Sequence, residues 1–188
     1  MPPLIATHPS QPGGRPRLVR FASVILAGVA LVFAFTWAGL VSTASASPTP
    51  PCAASQLSAR ITFWQGAAGS RIANVLLVNT SFVKCTIRNY PRVQLVDRPG
   101  TVMINGLAPS TTGALHTLLP LGFLKTEVET GNYCGPSYTA PVTLAFGLPG
   151  SLGRVIAIPL SEADTMGVPP CLGTPGSAGH ISMHAWHT

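Results

Sequence analysis

Three histidines, His180, His184 and His187, fall in the last nine residues of this 188-residue chain. Histidine is the commonest metal ligand, so their spacing is the first chemistry to weigh. The segment "HISMHAWHT" reads as a strand, in which side chains alternate between faces. His180 and His184 then share a face and His187 takes the other. At the rise of a strand His180 and His184 stand about 13 Å apart, too far for one ion held by bonds of about 2 Å. These weak metal candidates are better explained as a solvent-facing row on a terminal edge strand. Ile181, Met183 and Ala185 would then face the core. No metal or other cofactor is expected.

Glu127 and Glu129 share one face of another strand, about 7 Å apart at the backbone. Paired glycosidase carboxyls stand about 5–9.5 Å apart, so the spacing permits such chemistry. The surrounding "KTEVET" reads more simply as an exposed polar face, with Lys125 beside the acids. Nucleophilic catalysis has thinner support. The Gly-x-Ser-x-Gly elbow is absent, and only His116 lies well inside the chain's second half as a base. No phosphate loop or dinucleotide fingerprint occurs.

The basic residues offer a binding chemistry. Lys84, Arg88 and Arg92 flank Cys85, Arg98 lies in the next turn, and Tyr90 sits between them. Arginine matches phosphate and carboxylate with two parallel hydrogen bonds. The candidate partners are an anionic cell-wall polymer, lipid head groups or another envelope protein. The plainer alternative is a solvated strand face with turn residues. Trp64, Tyr138 and Trp186 either line a ligand site or fill the core.

These groups must be positioned by elements built after an export segment. Arg15, Arg17 and Arg20 precede residues 21–41, which carry no charge, and Ala44 and Ala46 follow two apart. A positive start, an apolar run and a small-residue cleavage site describe a secretory signal. Twenty-one helical residues also span about 30 Å, so residues 1–46 read as a signal peptide or a membrane anchor. In either case the remainder lies outside the cytoplasm, secreted or held at the membrane by residues 21–41. The whole chain carries a formal charge of +6, but residues 47–188 hold only eight basic and five acidic side chains. Export and this modest balance argue against nucleic acid as a partner. Residues 47–51, "SPTPP", read as a stiff extended spacer. Residues 52–188 form the domain.

The four cysteines, Cys52, Cys85, Cys134 and Cys171, all follow the export segment. An even count outside the cytoplasm reads as two disulfides with three possible pairings. The pairing Cys52–Cys85 with Cys134–Cys171 is expected. Cys85 begins a strand and would tie the segment at Cys52 to the sheet. Short strands are predicted near 57–64, 71–81, 83–87, 92–97, 114–119, 123–129, 141–146, 154–158 and 181–186. Pro91 ends the one at 83–87 and favours an extended Tyr90. Residues 161–166, "SEADTM", can form one helical turn capped by Ser161.

Cys52, Leu57, Gly66, Gly69-Ser70, Asn79, Cys85-Thr86-Ile87, Tyr90-Pro91, Val93, Leu95, Asp97 and Gly100 form a pattern. Asn132-Tyr133-Cys134-Gly135 and Pro170-Cys171 continue it. The pattern resembles the secreted actinobacterial domain of unknown function 4232, over about residues 52–187. Asn89 departs from it where glycine is usual, and Tyr133 where tryptophan is frequent. The resemblance implies an extracytoplasmic β-sandwich and no activity. The expected fold is therefore all-β: an immunoglobulin-like antiparallel β-sandwich stapled by two disulfides, preceded by an N-terminal apolar export helix. The expected function is an exported, non-enzymatic envelope or secreted module, binding or structural. A membrane-anchored structural envelope protein and a secreted hydrolase are the alternatives.

Overall fold

The structure, a computed structural model, describes residues 47–188; the export segment expected over 1–46 lies outside the described residues. The described chain is all-β apart from one 3-10 turn at Ala54–Gln56. Its strands are β1 (Leu57–Ala67), β2 (Ser70–Asn79), β3 (Cys85–Arg88), β4 (Arg92–Val96) and β5 (Val102–Asn105). They continue with β6 (Leu115–Leu118), β7 (Phe123–Gly131), β8 (Thr143–Gly147), β9 (Arg154–Ile158) and β10 (His180–Met183).

Alternation explains the longest hairpin. Along β2, Ala73, Val75 and Leu77 are buried, while Asn74, Leu76 and Val78 between them are half-buried. Gly69 adopts φ +80° in the tight turn back from β1, a conformation that a side chain would resist.

Eight strands form one sheet in the order β10-β7-β2-β1-β9-β8-β4-β5, and β3 and β6 form a separate ribbon. The expected sheet is wholly antiparallel, and this is corrected: β1 and β9 run parallel, paired at Ala59–Ala157 and Arg60–Ile158. That short seam joins two four-stranded halves into a continuous sheet. The sheet curls nearly into a barrel, because β10 returns against β4 and β5. Leu77, Leu95, Val128, Leu144 and Phe146 fill the interior. Trp64 and Trp186 belong to this core, whereas Tyr138 remains exposed.

Proline placement gives the ribbon a third edge. The Thr86 N–H donates to the Pro50 carbonyl and the Cys52 N–H to the Thr86 carbonyl, both at 2.8 Å. Pro51 thus lies parallel to β3. The end of the expected spacer is docked onto the domain.

Three local expectations fail, two because a side chain outcompetes the regular pattern and one at a backbone corner. Residues 161–166 form turns and no helix. The buried Asp164 carboxylate accepts the N–H groups of Leu160 and Met166, which fixes a loop instead. The strand expected over 181–186 ends at Met183, and Trp186 turns inward against Phe146 at 5.6 Å between ring centroids. Tyr90 is not extended but takes φ +58° at the corner between β3 and β4. Its carbonyl there accepts the Ser110 N–H at 3.0 Å.

Asn79, fully buried, joins the β2–β3 loop to the β6–β7 turn. Its amide nitrogen donates to the carbonyls of Val83 and Leu118, at 2.9 and 3.2 Å. Its amide oxygen accepts from the Ser81 N–H and hydroxyl, at 3.0 and 2.8 Å. Its own backbone closes the turn with Leu121 and Gly122. Alanine at this site leaves the buried Leu118 carbonyl and the partly buried Val83 carbonyl and Ser81 N–H without their partner. Asn79→Ala is expected to lower unfolding stability by about 2–3 kcal/mol. Urea unfolding followed by tryptophan fluorescence checks it; a change within error would show that the two loops hold without this amide.

Candidate functional site

Disulfides link Cys52 to Cys85 and Cys134 to Cys171, and no described cysteine is free. The first bridge is buried in the core, while Cys171 is exposed. Both do structural work. Bridges of this kind belong to oxidising compartments outside the cytoplasm.

The four cations of the expected anionic-ligand surface do not form one patch. Lys84 precedes β3, and Arg88 ends it, about 13 Å away at strand rise. Arg92 opens β4 just past the Tyr90-Pro91 corner. Arg98 lies beyond the far end of β4, where it pairs with Glu162 and donates from Nε to the Ala140 carbonyl at 2.9 Å. Arg88 donates from Nη1 to the Gly113 carbonyl at 3.2 Å. Among the described residues, Lys84, Arg88 and Arg92 have no carboxylate within ion-pair distance.

Sheet register adds a residue that sequence spacing does not reveal. Arg92 lies opposite Gly147, and Gly147 lies opposite Arg154. Arg92 and Arg154 therefore share the outer face with only a glycine between them, about 10 Å apart at the backbone. Arg154 also lines a groove of about 400 Å³ with Arg98, Asp97 and Glu162. No local motif signals this, because β4 and β9 are far apart in the chain.

His116 is engaged. Its Nε2 lies 2.8 Å from the amide oxygen of buried Asn89, which also accepts the Trp186 N–H at 3.0 Å. An amide oxygen only accepts, so Nε2 carries the hydrogen. This explains asparagine at the position where the resembled pattern has glycine: its side chain ties the β3–β6 ribbon to the C-terminal segment.

Glu127 and Glu129 lie on the outer face of β7, as their spacing requires. The Glu127 carboxylate meets His184 Nδ1 at 3.8 Å, in solvent. His180, His184 and His187 are exposed. The His180 ring lies over Gly131, where a Cβ would come within 2.2 Å of it. Among the described residues, no three His, Cys, Asp or Glu side chains are grouped to hold a metal ion. Burial, then Asp97 and Tyr138, raise the Tyr133 phenol above its ordinary pKa. It stays protonated and donates to the Pro136 carbonyl at 2.7 Å.

A family model described as a domain of unknown function, DUF4232, matches residues 52–187. No curated protein and no solved structure matches the chain.

Proposed function

The chain belongs to the DUF4232 family, and from that premise we propose that it is an exported, non-enzymatic binding module of the cell envelope. The observation that carries this reading is the set of three exposed cations, Lys84, Arg88 and Arg92, without carboxylate partners among the described residues. They follow β3 and the β3–β4 corner, on a scaffold held by two disulfides. An extended anionic polymer suits cations strung along a strand better than a compact ligand does. The curled sheet fits an immunoglobulin-like sandwich closed on one side by the β1–β9 seam. A secreted hydrolase has less support, since His116 holds Asn89 and Glu127 faces His184.

Long-chain inorganic polyphosphate serves as a soluble probe for an anionic envelope polymer. The double variant Arg88→Ala, Arg92→Ala is expected to bind it roughly tenfold more weakly, a change of about 1.4 kcal/mol. Its affinity should also depend less on salt, because fewer charges are screened. Unchanged affinity and salt dependence would sink the basic-corner reading.

The membrane-anchored alternative differs only in the fate of residues 1–46. An intact, non-reduced mass of the native protein in medium and membrane fractions separates the two. A chain starting near Ser47 in the medium indicates secretion; a full-length chain in the membrane indicates an anchor.

A further inference from the structure

One end of the domain carries apolar side chains into solvent on two adjacent loops. The β2–β3 loop presents Phe82 and Val83, which are 97% and 54% exposed. The β6–β7 turn presents Leu119 and Leu121, 62% and 77% exposed, and Phe123 follows at 46%. Single exposed apolar residues are ordinary, but a contiguous set of this size marks an interaction surface. The set is contiguous by register: Cys85 faces Leu118 at the end of the ribbon, and Val78 faces Phe123. Asn79 binds both loops. Leu121 is held at φ +61°, a conformation leucine rarely adopts. Its N–H donates to the Asn79 carbonyl at 2.9 Å, which fixes the turn that displays it.

Charge narrows the partner. The chain has two lysines, and both flank this tip. Lys84 follows Val83 directly, and Lys125 Nζ lies 5.4 Å from the centre of the Phe123 ring. Residues 80–84 and 119–125 contain no carboxylate; the nearest along β7 is Glu127, which faces His184. Lysine stems run along apolar surface while their heads reach for anions, an arrangement suited to the boundary between acyl chains and head groups. Facing copies of the same tip would bring these lysines together and repel.

Chain direction agrees. Pro51 runs parallel to β3 beside Thr86, so the residues before Pro50 approach from the side of Lys84. The sequence joins the export segment to the domain at the end that carries the apolar tip.

We propose that this tip inserts into the surface of a bilayer containing anionic lipid. Phe82 and Leu121 enter the acyl boundary, and Lys84 and Lys125 meet the head-group phosphates. The proposal does not rest on polymer binding at Arg88 and Arg92.

The test uses the full chain in vesicles of phosphatidylglycerol and phosphatidylcholine with brominated acyl chains, which quench nearby tryptophan. Phe82→Trp and Leu121→Trp place a reporter at the tip. Leu172→Trp places one beside Gly69, at the opposite end of the β1–β2 hairpin. The fluorescence added at positions 82 and 121 is expected to be roughly halved, and that at 172 unaffected. Adding Lys84→Ala and Lys125→Ala to Phe82→Trp should reduce quenching to its level in purely zwitterionic vesicles. Arg88→Ala with Arg92→Ala should leave it unchanged, which separates the tip from the polymer contacts other than the shared Lys84. Absent quenching at position 82 in anionic vesicles overturns the proposal. So does equal quenching at 172. A blue shift at 82 that grows with protein density but ignores bromine also overturns it, and assigns the tip to a second copy.

Discussion

Replacing Cys52 and Cys85 together by alanine is expected to lower the unfolding free energy by about 3–4 kcal/mol. The bridge spans 33 residues, and most of the effect is the freedom regained by the unfolded chain. Both sulfurs are buried in the core, so lost packing adds to the entropy. Cys134–Cys171 spans 37 residues but has an exposed end, so its removal loses closure with little packing. The Cys52/Cys85 pair should therefore be the costlier one. Against a typical stability of about 5–15 kcal/mol either loss is large. Urea unfolding of the two double variants ranks them. Equal midpoints for wild type and the Cys52/Cys85 variant would mean that this bridge does not constrain the unfolded chain.

Asp164→Ala is expected to cost a similar amount, about 3–4 kcal/mol. Asp164 is 4% exposed and organises the loop after β9. One carboxylate oxygen accepts the Leu160 N–H at 3.1 Å and the Trp64 indole N–H at 3.4 Å. The other accepts the Met166 N–H at 2.9 Å. Its backbone carbonyl accepts the Val142 N–H at 2.6 Å, which ties the loop to the approach to β8. Alanine leaves three donors without their acceptor: the Trp64 indole N–H is buried and loses most, while the Leu160 and Met166 amides are partly buried. Asp164→Asn retains an acceptor oxygen and should recover part of the loss. Hydrogen exchange at Leu160 and Met166 localises the effect. If these amides exchange in the alanine variant as in wild type, the carboxylate does not hold the loop.

The same residue shows where the sequence is legible. "SEADTM" offers Ser161 as a helix cap, and the cap rule is local. Nothing local says that the aspartate three residues later is buried beside Trp64, a hundred residues away. Strands are readable where the apolar or alternating run is long: β2 and β7, of ten and nine residues, lie where expected. β5 is four residues with its two buried side chains adjacent, Met103 and Ile104, so it shows no alternation. The β1–β9 pairing escapes for another reason: a two-residue parallel contact leaves no mark in either strand. Candidate residues fared likewise. Lys84, Arg88 and Arg92 are close in sequence and lie along β3 and its corner, but Arg98 pairs with Glu162 beyond the far end of β4, and Arg154 enters through register alone. The apolar tip was hidden because Val83 and Leu119 look like strand residues bound for a core. Their exposure follows from where the ribbon ends.

The bridges also set how the protein responds to tension. A pull on the chain before Cys52 reaches that cysteine and passes through covalent sulfur to Cys85. The β1–β2 hairpin lies inside that loop, off the load path. The 37-residue loop closed by Cys134 and Cys171 is bypassed in the same way. Each bypass withholds roughly 110–130 Å of contour that an open chain would pay out. Under load, extension is confined to the chain before Cys52, to the stretch between Cys85 and Cys134, and to the tail beyond Cys171. Pulled at its two ends, the domain therefore yields about half the travel of the same chain without bridges.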